Sequence, residues 1–379
     1  MPMKLAFCLF NYFPYGGLQR DFMRIARVCR QRGHDIHVYT MQWEGEVDPS
    51  VELHLMTAKG WQNHTRSRHF ANQVKSQLEK EHFDLVIGFN KMPHLDLYYA
   101  ADVCYVARIQ EQRGFFNRLL PRYRQLAAFE QAVFARGKTT EIMLISSQQQ
   151  PGFVNFYQTE NERFHLLPPG IAKDRIAPAN AAEIRIDMRR SYQMSDDDIL
   201  LLMVGSGFKT KGLDRAIRGF ATIPTKLKQR SHLFVIGQDN PRPFMKLAKQ
   251  LGVDHQLHFL GGRPDVPNFM LAADLLLHPA YHENTGTVLL EAIVSGLPVL
   301  TVDSCGYAHY VREAKAGVVL KSPFQQAEFT EELQKMILSK ERTDWQQNGL
   351  AFAKRADIYS MPEKTADLIE YVGRKRVST

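Results

Sequence analysis

Apolar residues along this chain come in short unbroken runs, and between the runs they recur every three to four positions. Lys4 to Phe10 reads as a buried strand. Leu18, Phe22, Ile25, Ala26 and Cys29 then fall on one helical face, with Arg20, Arg24, Arg27 and Arg30 mostly on others, and Gly33 closes that helix. Further strands are expected at Asp35 to Tyr39, Asp84 to Gly88 and Ile142 to Ser146, which completes one Rossmann-like unit. At Leu167-Pro168-Pro169-Gly170 two prolines remove amide donors and fix φ, so the crossing between domains is placed there. The alternation then restarts: strand Ile199 to Val204, a glycine and lysine loop from Gly205 to Gly212, a helix opening at Leu213 to Phe220, and strands at His232 to Gly237, Gln256 to Leu260, Leu275 to Leu277 and Pro298 to Thr301. Strand and helix alternating in this way predict an α/β fold with two parallel sheets. The expected domains are residues 1–167 and 168–356.

Composition narrows the class further. The chain has 379 residues, 44% of them hydrophobic and 23% charged, which suits packed domains and excludes disordered or fibrous classes. No apolar run approaches the ~20 residues that span a bilayer. The four cysteines share no C-x-x-C spacing, so buried thiols in a reducing, cytoplasmic setting are the expectation. Lys+Arg 48 against Asp+Glu 40 gives +8, a balance that favours anionic partners such as phosphates, nucleic acid or an acidic membrane surface.

Three segments could carry chemistry. In Tyr15-Gly16-Gly17-Leu18-Gln19-Arg20-Asp21, paired glycines let backbone approach a ligand, and the helix N-terminus behind them offers N–H groups to an anion; a plain tight turn would also use them. Asp21 could equally complement the helix dipole. In Gly205-Ser206-Gly207-Phe208-Lys209-Thr210-Lys211-Gly212, two lysines among glycines suit a diphosphate, against the simpler alternative of a solvated basic turn. Neither loop is a Gly-x-Gly-x-x-Gly fingerprint or a Walker A loop. In the third segment, Glu283 and Glu291 flank Gly286 and Thr287 with seven residues between the glutamates. Were that stretch wholly helical, they would stand ~12 Å apart, about the reach from a sugar across a diphosphate to a ribose. Glu291 lies among Val288, Leu290, Ile293 and Val294, where a carboxylate needs a polar partner. An incidental surface glutamate on a helix is the alternative.

The two spaced glutamates, the Gly-Gly loop and the Lys-Gly loop together resemble glycosyltransferase family 4, retaining enzymes of the GT-B fold that use nucleotide sugars. Longer stretches, Phe13 to Asp21, Gly88 to Pro93, Ala100 to Tyr105, Leu166 to Ile171 and Cys305 to Tyr310, resemble the lipopolysaccharide inner-core glucosyltransferases within it. The resemblance implies two facing Rossmann-like domains with a central cleft, and a C-terminal helix, 357–379, that packs back on the first domain. It implies glucose transfer from UDP-glucose to an inner-core heptose. Glu291 would then bind the donor ribose, Glu283 would sit near the transferred sugar, and Gly16, Gly17, Gly205, Lys209, Lys211, Gly286 and Thr287 would surround the donor. Asp21 and Asp102 match acidic positions that face the reacting centre, though Asp102 could merely cap a helix. Ser206 stands where many members carry arginine, so Lys209 is a candidate replacement for that charge.

No cofactor and no metal are expected: Asp196-Asp197-Asp198 precedes a strand and so lies at the wrong end of the sheet for a ligand. A histidine such as His37, flanking a strand, reads as structural. Lys91 is an acceptor candidate, with a solvated loop as the alternative. Arg113, Arg118 and Arg122, interleaved with aromatics between Tyr98 and Arg124, could meet an anionic membrane surface, or form a solvated basic helix. The expected partners are thus a nucleotide sugar, a lipopolysaccharide inner-core acceptor and the cytoplasmic face of the inner membrane as a peripheral protein, with no nucleic acid. Rival readings are a family 4 enzyme with another hexose donor or acceptor, and a non-catalytic nucleotide-sugar binder.

Overall fold

The computed structural model describes residues 2–14, 16–112 and 118–377. It divides into two compact units, Met1–Gly170 with Tyr359–Thr379, and Ile171–Ile358. The crossing thus falls just after the two prolines, three residues beyond the expected boundary.

The first unit is built on a seven-stranded sheet. Its strands are β1 (Lys4–Cys8), β3 (Asp35–Thr40), β5 (Glu52–Leu55), β6 (Leu85–Gly88), β7 (Leu97–Ala100), β8 (Glu141–Leu144) and β9 (Phe164–Leu166), in the order β5-β3-β1-β6-β7-β8-β9, while β2 (Asn11–Tyr12) and β4 (Gln42–Trp43) pair separately. All pairs are parallel. Parallel strands need helical crossovers, so both faces of the sheet are covered and the strands read as continuous apolar runs. On one face the helix Gly17–Gln31 buries Phe22, Ile25, Ala26 and Cys29 against Leu5, Phe7, Ile36 and Val38. The helix Met361–Val377 joins the same core through Met361, Ala366, Ile369 and Val372. Arg32 fastens it to the first helix by ion pairs to Asp367 (2.8 Å) and Glu370 (3.4 Å). Gly373 allows the approach, because a Cβ there would lie 2.4 Å from the Met3 sulfur. The other face is covered by the helices Asn63–Leu78, Pro121–Phe134 and Gln150–Tyr157, with Phe134 and Phe153 stacked 3.7 Å apart.

The second unit has six parallel strands: β10 (Ile199–Val204), β11 (Ser231–Ile236), β12 (Leu257–Phe259), β13 (Leu275–His278), β14 (Val299–Val302) and β15 (Gly317–Leu320), in the order β12-β11-β10-β13-β14-β15. In each unit the strand order reverses once, between β1 and β6 and between β10 and β13. Ligands of open α/β sheets bind at the carboxyl ends of strands beside such a reversal. The Gly16-Gly17 loop follows β1, and the loops carrying Lys211 and Glu283 follow β10 and β13, so the topology puts every glycine loop found in the sequence at a switch point. All four cysteines are buried thiols.

Candidate active site

In the second unit, three glycines shape the loop after β10. Gly205, Gly207 and Gly212 have φ of 132°, 78° and 77°, and a Cβ on Gly212 would strike the Pro279 carbonyl oxygen at 2.0 Å. Side chains then pin the loop: Asp239 accepts from the Phe208 amide (2.8 Å), and the Ser206 hydroxyl accepts from the Gln238 amide (3.0 Å). Ser206 therefore ties β10's loop to the turn after β11 instead of carrying a charge.

The lysines point to different places. Lys211 forms an ion pair and hydrogen bond with Glu283, and burial pulls its ammonium below the usual lysine range. Lys209 is largely exposed and donates to Asp214 (2.7 Å) and the Tyr281 hydroxyl (3.0 Å). Those two bonds raise its pKa. Burial opposes ionisation of Asp214, but the hydrogen bonds from Lys209 and Tyr281 outweigh it and hold the carboxyl below its ordinary range. Arg215 stacks on the Tyr281 ring at 3.6 Å and donates to the carbonyls of Pro279 and Ala280, which fixes the segment leading to Glu283.

Glu283 is not helical. The helix carrying Glu291 runs only from Thr287 to Val294, begun by Gly286 at φ 77°, so the 12 Å helical rise does not apply between the two glutamates. Instead the Glu283 backbone bridges to Cys305, with the Gly306 amide donating to the Glu283 carbonyl (3.1 Å). Glu291 is buried as its apolar neighbours predict, and its partner is Arg175, whose Nε lies 3.7 Å from Oε1. Beneath Glu283 lies His278, the last residue of β13, which has no exposure and no hydrogen bond to either ring nitrogen. Its Nε2 is 3.6 Å from the Glu283 carboxylate. Burial, with Lys211 adding to it, pushes the imidazole down to about 3, so it is neutral at physiological pH. Sequence reading missed His278, Arg175, Asp239 and Tyr281; of these only His278 left a signal, a histidine closing an otherwise apolar strand.

In the first unit the two loop glycines differ. A Cβ on Gly16 would collide with the Gln19 side chain at 1.8 Å and the Phe13 ring at 2.7 Å, whereas one on Gly17 meets nothing within 4 Å. Asp21 lies in the second turn of the helix that Gly17 opens and accepts a hydrogen bond from the Tyr99 hydroxyl (2.9 Å), a role the dipole alternative does not require. Asp102, just past β7, is exposed, and its backbone carbonyl is held by Gln149 (3.0 Å).

Lys91 departs from expectation. Its ammonium is not offered to an acceptor or to solvent; it bonds the Val103 carbonyl (2.9 Å) and pairs with Glu130, a carboxylate of zero exposure. Glu130 also accepts from the amides of Tyr105 (2.8 Å) and Val106 (3.0 Å) and from the Tyr157 hydroxyl (3.0 Å). The pair is a buried brace for the start of the helix Tyr105–Gln112. Arg113 lies outside the described residues. Arg118 and Arg122 are exposed, as are Leu119 and Leu120 between them, while Tyr98 is wholly buried and cannot touch a membrane.

Two parallel Rossmann-like units, with a basic glycine loop and two glutamates beside the switch point of the second, are the architecture of a glycosyltransferase of the GT-B class. Residues 15–175 match the family described as Glycosyltransferase Family 4, and residues 184–352 match Glycosyl transferases group 1. The chain is 48% identical over 368 residues to the lipopolysaccharide glucosyltransferase WaaG of Escherichia coli, covering 97% of this chain and 98% of that one. It belongs to that family of glycosyltransferases. The crystal structure of WaaG, a glycosyltransferase involved in lipopolysaccharide biosynthesis, superposes with a TM-score of 0.92 over 96% of this chain and 99% of that one, again at 48% identity. Anabaena HepE in complex with UDP-glucose shares the fold at 17% identity, with a TM-score of 0.76 over 97% of this chain and all of that one.

Proposed function

We propose that this chain transfers glucose from UDP-glucose to a heptose of the lipopolysaccharide inner core, with retention at the anomeric carbon. The observation that carries the reading is the 48% identity to the E. coli enzyme sustained over 97% of the chain. In this reading Lys211 and Lys209 take the diphosphate, helped by the amides of the Gly205–Gly212 loop and the N-terminus of the nine-residue helix Leu213–Ala221. Glu291 accepts from the ribose hydroxyls and Glu283 from the hexose. Asp21 and Asp102 face the reacting centre.

The acceptor oxygen attacks the anomeric carbon from the face the leaving group departs. The carbon–oxygen bond to the β-phosphate breaks with its electron pair going to UDP, and the phosphate oxygen takes the acceptor proton. The protein then contributes position and stabilisation of charge growing on UDP, which fixed lysines and amide dipoles supply without a metal.

The test is a donor screen, UDP-glucose against UDP-galactose and UDP-N-acetylglucosamine, with purified protein and a truncated inner-core acceptor, read by mass spectrometry with and without EDTA. A hexose added only from UDP-glucose, in both buffers, supports the reading. Transfer from another donor alone assigns a different family 4 activity, and no product with retained UDP-glucose binding assigns a non-catalytic binder.

A further inference from the structure

The edge of the first unit's sheet carries a cluster that this chemistry does not use. His37 lies in β3, Glu52 and His54 in the edge strand β5, and the parallel register sets His37 opposite Glu52 and Tyr39 opposite His54. All three side chains therefore share one face. His37 Nδ1 lies 2.9 Å from His54 Nε2, and Glu52 Oε1 lies 3.7 Å from the first nitrogen and 3.4 Å from the second. Among the described residues no other three metal-ligating side chains converge this closely.

We propose that His37, Glu52 and His54 bind one divalent cation of the zinc type, which fastens β5 to β3. Zinc bonds imidazole nitrogen and carboxylate oxygen at about 2.0–2.2 Å in a tetrahedron, which sets its ligand atoms about 3.3–3.5 Å apart. The three separations here straddle that spacing. The shortest is that of an N–H···N hydrogen bond, so the ion takes the place of the bridging proton. His54 keeps its charge neutral by carrying that proton on Nδ1. Two neutral imidazoles and one carboxylate are a donor set that suits zinc over magnesium or calcium, which prefer oxygen.

The surroundings agree. His37 Nε2 is 3.0 Å from Asp35 Oδ2, the imidazole–carboxylate contact that fixes a ligating histidine's tautomer and leaves Nδ1 with its lone pair. The Tyr39 ring stacks on His54 at 4.7 Å and the Phe83 ring stands edge-on to His37 at 5.2 Å, which limits the rotation of both imidazoles. Lys4, the nearby cation, is engaged by Glu81. His37 is buried, but Glu52 is 61% and His54 29% exposed, which gives an ion its way in. β5 is short and poorly buried, so a cross-link there holds the strand that needs it most. The second unit supplies a control: His232 and His258 approach to 3.3 Å across β11 and β12, and among the described residues no third ligand joins them.

Full-length protein freed of metal with EDTA, then dialysed, is titrated with Zn²⁺ by calorimetry, and with Co²⁺ while the visible bands of tetrahedral cobalt are followed. The expected result is one ion per chain. His54→Ala and Glu52→Ala abolish it, Asp35→Asn weakens it about 10- to 100-fold as losses of such supporting contacts do, and His258→Ala leaves it unchanged. Zinc raises the melting temperature of wild type above its value in EDTA and leaves that of His54→Ala at its own value in EDTA. Glu52 is exposed and His54 half-buried, so either variant alone suffices if the other folds poorly. No saturable one-to-one binding by wild type, or binding that survives in both ligand variants, overturns the proposal and leaves a histidine–histidine hydrogen bond only.

Discussion

Lys211 and Glu283 form an ion pair between the loops that leave two adjacent strands, β10 and β13, with both side chains largely withdrawn from solvent. In the proposed reaction the two residues serve different halves of the donor, Lys211 the diphosphate and Glu283 the hexose. Lys211→Met should therefore weaken UDP binding by about 1.5–3 kcal/mol, the scale of hydrogen bonds to a charged group, or roughly 10- to 150-fold. Glu283→Gln should leave UDP affinity near wild type and lower kcat with UDP-glucose. Calorimetry with UDP and steady-state kinetics read both, and equal losses of UDP affinity in the two variants would mean that the pair acts only as a structural tie.

Glu291 offers a second separation. If its carboxylate accepts both ribose hydroxyls, Glu291→Gln should cost about 1.5–3 kcal/mol of UDP affinity while the protein stays folded. Arg175 Nε lies 3.7 Å from that carboxylate, and Arg175→Met tests whether the pair merely packs the helix. Unchanged UDP binding in Glu291→Gln removes the ribose assignment.

The fold was legible in the long apolar runs and illegible where burial is partial. β10 announces itself because a parallel strand covered on both faces is apolar throughout, and β1, β3 and β11 do so by a run that is mostly apolar. β5 escapes because Glu52-Leu53-His54-Leu55 sits at the sheet edge and is only half covered. β7 (Leu97–Ala100) and β15 (Gly317–Leu320) escape as well, although β6, β8, β13 and β14 are equally short, so length is not the reason. The site was legible as motifs and not as contacts. Glycine loops and the glutamate spacing are local, but Lys91 and Glu130 are 39 positions apart, and nothing in Lys91's neighbours reveals a buried carboxylate waiting for it.

That buried pair has a stability consequence. Lys91→Met leaves the Glu130 carboxylate at zero exposure with its compensating charge gone, a change that typically costs about 3–5 kcal/mol. Lys91→Met with Glu130→Gln should recover part of the loss, since the uncompensated charge goes with it. Urea unfolding of the two variants and of wild type measures this. A single variant as stable as wild type would show that Lys91 is solvated after all.

His278 predicts a pH effect with a definite sign. Burial holds its folded-state pKa at about 3, while an unfolded histidine titrates near its ordinary 6.5. Between those values the unfolded chain binds a proton that the native one refuses. Stability from this residue is therefore complete above pH 6.5 and falls as the pH drops, by about 1.4 kcal/mol per pH unit. His278→Gln should flatten the difference by that slope between pH 6 and pH 4. Parallel stability curves for the two proteins would show that the imidazole is protonated in the fold.

The membrane reading rests on the proposed lipopolysaccharide acceptor, whose lipid anchor would oblige the enzyme to work at a bilayer surface. Among the described residues no helix is long and apolar enough to cross a membrane. The stretch from Arg118 to Arg124 has the composition for it: Arg118, Arg122 and Arg124 are exposed, and Leu119 and Leu120 stand 55% and 51% exposed between them. Tyr105 and Tyr123 do not join them as free anchors, because their rings pack on each other with centroids 5.8 Å apart. Each arginine near an anionic surface adds about 1 kcal/mol, so changing Arg118, Arg122 and Arg124 to Ser should weaken binding to phosphatidylglycerol-containing vesicles by up to about 100-fold. Leu119→Ser with Leu120→Ser should weaken it as well, through lost apolar insertion. Wild-type binding should fall steeply between 50 mM and 500 mM salt as the Debye length shortens. Vesicle sedimentation decides the matter. Equal binding of wild type and the arginine variant to anionic vesicles, or no binding by either, would place the membrane contact elsewhere on the chain.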